Sequence, residues 1–129
     1  MGKVETNKKQ KNTTLLQTSF ELFTEKGFTK TTISDIVNRA GLAKGTFYLY
    51  FKDKYDLRDR LVTYKTSQLF GNAHTALIEQ NIQGFENQMF FVIDHIIDRL
   101  EKEPKLLQFI SKNLSWGIFK NCLLYTSPS

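Results

Sequence analysis

The sequence predicts an all-α protein: a three-helix helix-turn-helix unit joined by a long fourth helix to a helical C-terminal region. Three observations predict it. Apolar residues recur at i, i+3, i+4 and i+7 along successive stretches, the period of an amphipathic helix. Only two prolines and seven glycines punctuate 129 residues, too few turn signals for an all-β chain. Where glycine does occur near these stretches, as at Gly27 and Gly41, it falls where a helix would end.

The elements follow in order. Lys8, Lys9 and Lys11 form a basic cluster that reads as a mobile arm or the first turn of a helix. Leu16, Phe20 and Phe23 then share one helical face, flanked by Leu15 and Leu22, and Gly27 suits the left-handed residue after the last turn. After the polar link Thr29-Lys30-Thr31, Thr32 opens a second helix, with Asp35 three residues on as the other half of a capping-box pair. Ile33, Ile36, Val37 and Ala40 make its apolar face, and Gly41 stops it. A third, short segment holds Phe47 and Phe51 at i and i+4, which pack it on the core; Lys44, Thr46, Tyr48 and Tyr50 are left on other faces. Small residues at Ala40 and Gly41 let the two helices approach, and Leu42 fills the corner.

Asp53 is expected to cap a fourth helix from Lys54 to about Glu79, with Asp56 in its first turn and Leu57, Leu61 and Tyr64 on one face; Gly71-Asn72 is the expected weak point. Residues 81–84 read as a link. Phe85, Met89, Val92, Ile93, Ile96 and Leu100 then keep helical spacing, and Phe90, Phe91 and Ile97 widen the apolar surface, so this helix is expected to be buried on more than one side. Glu103-Pro104 opens a last helix with Leu106, Leu107, Ile110 and Leu114 inward. The pattern fades after residues 116–119, and 124–129 is expected to lie outside the native fold.

Charge divides unevenly. Residues 1–65 hold 13 Lys and Arg against 7 Asp and Glu, whereas residues 66–129 hold 5 against 6. The basic excess lies wholly in the first half, which points to a nucleic-acid-binding or membrane-surface module. No Gly-x-Ser-x-Gly elbow, phosphate-cradling loop or His-Glu-x-x-His occurs, so no catalytic residue, no enzyme activity and no cofactor is expected. His74 and His95 are 21 positions apart, and Asp94, His95 and Asp98 are read as ordinary polar residues, so no metal site is expected. The single cysteine, Cys122, excludes an intrachain disulfide and fits a reducing, cytoplasmic setting; it reads as an apolar filler or a tail thiol. No run is apolar enough to span a membrane, and the polar, basic residues 1–12 lead to the expectation of no secretory signal. Met89, Phe90, Phe91, Trp116 and Phe119 are either effector-pocket lining or plain core.

The stretch GFTKTTISDIVNRAGLAKGTFYLYFKDKYDL, Gly27 to Leu57, resembles the TetR/AcrR family of bacterial transcriptional regulators. With the first helix the resemblance covers residues 10–60. It implies that Lys44–Phe51 is a recognition helix in the major groove, with Lys44, Gly45, Thr46, Tyr48 and Tyr50 touching bases or phosphates. It implies further that Thr32 opens the second helix at a phosphate, which helix N-termini favour, and that Lys54 grips the DNA backbone. Ala43 stands where many members place serine, and alanine can neither cap nor donate. On this resemblance residues 1–53 are the DNA-binding domain, and residues 54–129 an incomplete effector-binding and dimerisation region. The implied function is a sequence-specific, ligand-responsive repressor: a homodimer on a palindromic operator in double-stranded DNA, with a small-molecule effector and no membrane partner. The alternatives are a truncated DNA-binding fragment without effector control, or a protein using its basic half non-specifically on DNA or a membrane surface.

Overall fold

A computed structural model describes residues 3–113, and every regular element among them is an α-helix. Residues 114–129 lie outside the described part, so the expectations for Leu114, Trp116, Phe119, Cys122 and the 124–129 tail lie outside it too. The chain divides into two compact units, residues 1–61 and 62–129.

The first unit is built on α1 (Lys3–Lys26), α2 (Ile33–Ala40), α3 (Lys44–Tyr50) and the first turns of α4 (Lys54–Glu79). The basic cluster at Lys8, Lys9 and Lys11 belongs to α1, which carries its side chains into solvent. The core side of α1 is Leu15, Leu16, Leu22 and Phe23; Phe20, expected on the same stripe, is half-buried. Ile36 and Val37 of α2, Phe47 and Phe51 around α3, and Leu57 and Leu61 of α4 complete this core, all at most 3% exposed. Burying side chains of this size removes on the order of 1.5–3 kcal/mol of apolar exposure each, which drives such short helices together. Leu57 and Leu61 are sealed in it, and the unit runs on to Leu61.

In the second unit α4 continues to Glu79, followed by α5 (Phe85–Lys102) and α6 (Pro104–Asn113). Helix α4 passes through Gly71 without a break. An interior glycine costs about 1 kcal/mol relative to alanine, and the burial of Leu69 and Ala73 on either side offsets it. Two expectations need correction here. None of the residues of α5 is buried, although its wide apolar surface was expected to be covered on more than one side. Phe85 is 75% and Phe90 65% exposed, and Met89, Ile93 and Ile97 are exposed as well. Helical spacing states which residues favour burial, not whether other chain lies against them. On α6 itself Leu107 faces solvent and Phe109 takes the inward place with Leu106 and Ile110.

Candidate nucleic-acid interface

The helix-turn-helix is fixed at each joint by side-chain and backbone chemistry that the sequence supplies. At the start of α2 the Thr32 hydroxyl accepts the Asp35 N–H at 3.0 Å, while the Asp35 carboxylate accepts the Thr32 N–H at 3.0 Å, a complete capping box. Lys26 of α1 donates to the same carboxylate at 2.8 Å, and Arg39 of α2 pairs with Glu25 at 3.0 Å, so α1 and α2 are bridged at two points. The Lys26 ammonium and the two Thr32 groups hold the Asp35 carboxyl at about 2, below its ordinary 3.8.

Gly41 closes α2 in the left-handed conformation, φ +71°. The Gly41 N–H donates to Asn38 O at 3.3 Å and the Leu42 N–H to Val37 O at 2.9 Å, the paired bonds of a Schellman turn. This turn fixes the exit of α2 and delivers the chain to α3. No side chain caps α3, because Ala43 has none to offer. Its place is set instead by Phe47, fully buried at its centre, and Phe51, 2% exposed at its end.

At about 100° per residue, burying Phe47 and Phe51 turns Lys44, Gly45, Tyr48 and Leu49 outward as one stripe. All four are exposed, Tyr48 at 52% and Leu49 at 80%. The Tyr48 ring stands edge-on to Phe47, centroids 5.3 Å apart, which steadies the ring while leaving its hydroxyl end outside. Thr46 and Tyr50 lie on the other flank of α3 and are half-buried, with the Tyr50 ring tilted against Phe51 at 6.5 Å. Thr32 is exposed, but its hydroxyl is engaged in the cap. A β-carbon added at Gly45 would meet nothing within 4 Å, so neither packing nor backbone conformation in the free protein requires a glycine there.

Lys54 lies apart from the α3 stripe. Its ammonium donates to Phe28 O at 2.8 Å and to Thr31 O at 2.9 Å, reaches Thr29 O at 3.5 Å, and sits 4.3 Å from the centre of the Phe28 ring. The charge is directed inward onto the turn between α1 and α2. Ahead of it, the Asp53 carboxylate caps α4 by accepting the Asp56 N–H at 2.8 Å. Asp56 accepts the Lys52 N–H at 2.9 Å, which is the main reason its carboxyl is held below the ordinary value.

Leu49 was missed by the sequence reading, which followed charged and hydroxyl-bearing residues. The signal was present in the spacing: with Phe47 and Phe51 inward, position 49 must face solvent. Among the described residues no group of three or more His, Cys, Asp or Glu side chains could hold a metal ion. No helix of the described residues is long and apolar enough to cross a membrane.

Residues 15–61, the stretch that builds this geometry, match the family of bacterial regulatory proteins known as the tetR family. Over this helix-turn-helix stretch the chain is similar to that family. Among curated relatives, the HTH-type transcriptional regulator YvdT of Bacillus subtilis is 45% identical over 64 residues, 46% of this chain and 33% of that protein. The Bacillus subtilis fatty acid metabolism regulator protein is 36% identical over 61 residues, 47% of this chain and 31% of that protein. The chain thus spans about a third of the length of these relatives. The solved structure of a TetR/AcrR-family transcriptional regulator from Aquifex aeolicus, 29% identical, superposes with a TM-score of 0.57 over 78% of this chain and 53% of that one. The fatty acid degradation regulator FadR from Bacillus halodurans, 24% identical, shares the fold with a TM-score of 0.64 over 74% of this chain and 50% of its own.

Proposed function

We propose that this protein is a transcriptional repressor that reads double-stranded DNA through the outward stripe of α3, as a homodimer on a palindromic operator and under the control of a small-molecule effector. The observation that carries the reading is the stripe itself. A seven-residue helix with a buried phenylalanine at its centre presents a cation, a glycine, a tyrosine and a leucine to solvent. Each has a use in the major groove. Lys44 can donate to guanine N7 and O6 or to a phosphate, the Tyr48 hydroxyl to a phosphate oxygen, and Leu49 can meet a thymine methyl. Gly45, with open space around its missing side chain, admits the DNA backbone or a base edge at close range. Thr32, Thr46 and Tyr50 sit at the edges of this surface: the N-terminus of α2 favours a phosphate, while the half-buried Thr46 and Tyr50 offer a hydroxyl each.

The second unit supports the regulatory part. Phe85, Gln88, Met89, Val92 and Ile93 of α5 border an open, apolar depression of about 270 Å³. All five residues lie on one face of α5, and an exposed apolar face is stabilised by an apolar molecule that covers it. An effector controls DNA binding only if it binds two conformations unequally.

Selection of bound duplexes from a random library tests the reading. Enrichment of one inverted repeat supports it, and Lys44→Ala or Leu49→Ala should then change the enriched bases. Equal binding to unrelated duplexes would favour the non-specific basic-surface alternative.

A further inference from the structure

We propose that Leu49 is a specificity-determining residue: beside the bare backbone of Gly45 it forms an apolar notch on α3 that receives the 5-methyl group of one thymine in each half-site. The inference rests on the DNA-binding reading above and deepens it to one base contact. Leu49 is 80% exposed, more than any other large apolar side chain among the described residues. A single exposed leucine is ordinary on a protein surface. Its place on α3 is what gives it a use.

Each residue advances about 100° around a helix, so Leu49 stands about 200° from Phe47 and about 160° from Phe51. Those two rings are buried, and Leu49 therefore points directly away from the core. Tyr48 and Tyr50 stand about 100° to either side of it. A helix about 10–12 Å across fills a major groove about 12 Å wide. The crest of its outward face then meets base edges at the groove floor, and its flanks meet the phosphates along the walls. The tyrosine hydroxyls suit the walls. A leucine at the crest can neither donate nor accept a hydrogen bond, and the apolar group that base pairs present in this groove is the thymine methyl.

Gly45 completes the notch. It precedes Leu49 by four positions, so the two are neighbours on one face of the helix. A helical side chain leans toward the N-terminus over the preceding turn, and the turn before Leu49 offers no side chain at this point. A β-carbon at Gly45 would meet no atom within 4 Å, the Leu49 side chain included. The space is open to solvent, walled on one side by leucine, and wide enough to admit a methyl group.

The test uses the full-length protein and a duplex that the wild type enriches from a random library. Each thymine is replaced in turn by deoxyuridine, symmetrically in both half-sites, which removes the methyl group and keeps every hydrogen-bonding atom. At one position wild-type binding is expected to weaken about fourfold per half-site, the worth of burying one methyl group. Leu49→Ala is expected to melt as the wild type does, to bind the thymine duplex more weakly, and to lose nothing further with deoxyuridine there. Lys44→Ala, which leaves the notch intact, should keep the whole deoxyuridine loss. Unchanged wild-type affinity at every deoxyuridine position would overturn the proposal. So would an equal loss in Leu49→Ala, which would assign the methyl group to another residue. Either result leaves the DNA-binding reading standing, because a duplex has been selected. If the wild type enriches no duplex, the DNA-binding reading fails and this proposal fails with it.

Discussion

Gly45 and Asp35 show how single residues divide between folding and function. Glycine in a helix interior is less favourable than alanine by about 0.5–1 kcal/mol, and at Gly45 the added methyl would meet open space. Gly45→Ala should therefore raise the melting temperature while weakening binding to the selected duplex about tenfold; a variant that binds as wild type does would remove Gly45 from the interface. Asp35 carries a prediction of the other kind. Its carboxyl is lowered to about 2 by Lys26 first and then by Thr32, so its ionised form is favoured in the folded state. That stabilisation is complete above the ordinary value of 3.8 and is lost as pH falls through the folded value near 2. Thermal melts of wild type and Asp35→Asn between pH ~5 and ~2 should start apart and converge in acid. A gap that stays constant would mean that the ion pair and capping box do not form in solution.

The helices are also fixed at their ends. Asp53 caps α4 through the Asp56 N–H, and loss of such a cap costs about 0.5–2 kcal/mol. Asp53→Ala should lower the melting temperature, while Asp53→Asn, which keeps the accepting oxygen, should be nearly silent; equal melting of all three proteins would place the start of α4 elsewhere. The joint between α2 and α3 depends on a left-handed residue, and Gly41 supplies it at φ +71°. Gly41→Val should destabilise the protein by more than 1 kcal/mol, roughly the strain of a branched residue in that region. In melting curves its effect should exceed that of Gly45→Ala and have the opposite sign.

For the molecule as a whole, the proposed dimer makes a geometric prediction. Two recognition helices related by a two-fold axis read half-sites about 34–36 Å apart, or a multiple of that, so the selected motif should be an inverted repeat. The exposed face of α5 is the other large-scale feature. Replacing Phe85 and Met89 together with glutamine should leave the circular dichroism of the helices intact and reduce concentration-dependent self-association in sedimentation velocity. Unchanged association would separate this face from dimerisation and leave it to the effector.

The sequence by itself determined the helices and the helix-turn-helix. Capping pairs, a left-handed glycine and apolar residues at helical spacing are local signals, each acting within a few residues of itself. Thr32 with Asp35, Gly41, Phe47 with Phe51 and Asp53 could all be read that way. What lies beside each helix was decided only by the tertiary structure, because burial and hydrogen bonding depend on chain that is distant in sequence. Periodicity could not show that no residue of α5 would be buried, since a stripe records a preference and not a neighbour. Nor could it show Lys54 reaching back to carbonyls more than twenty positions earlier. A lysine has no preferred partner until the fold brings one within reach, and here the fold brought a turn of backbone.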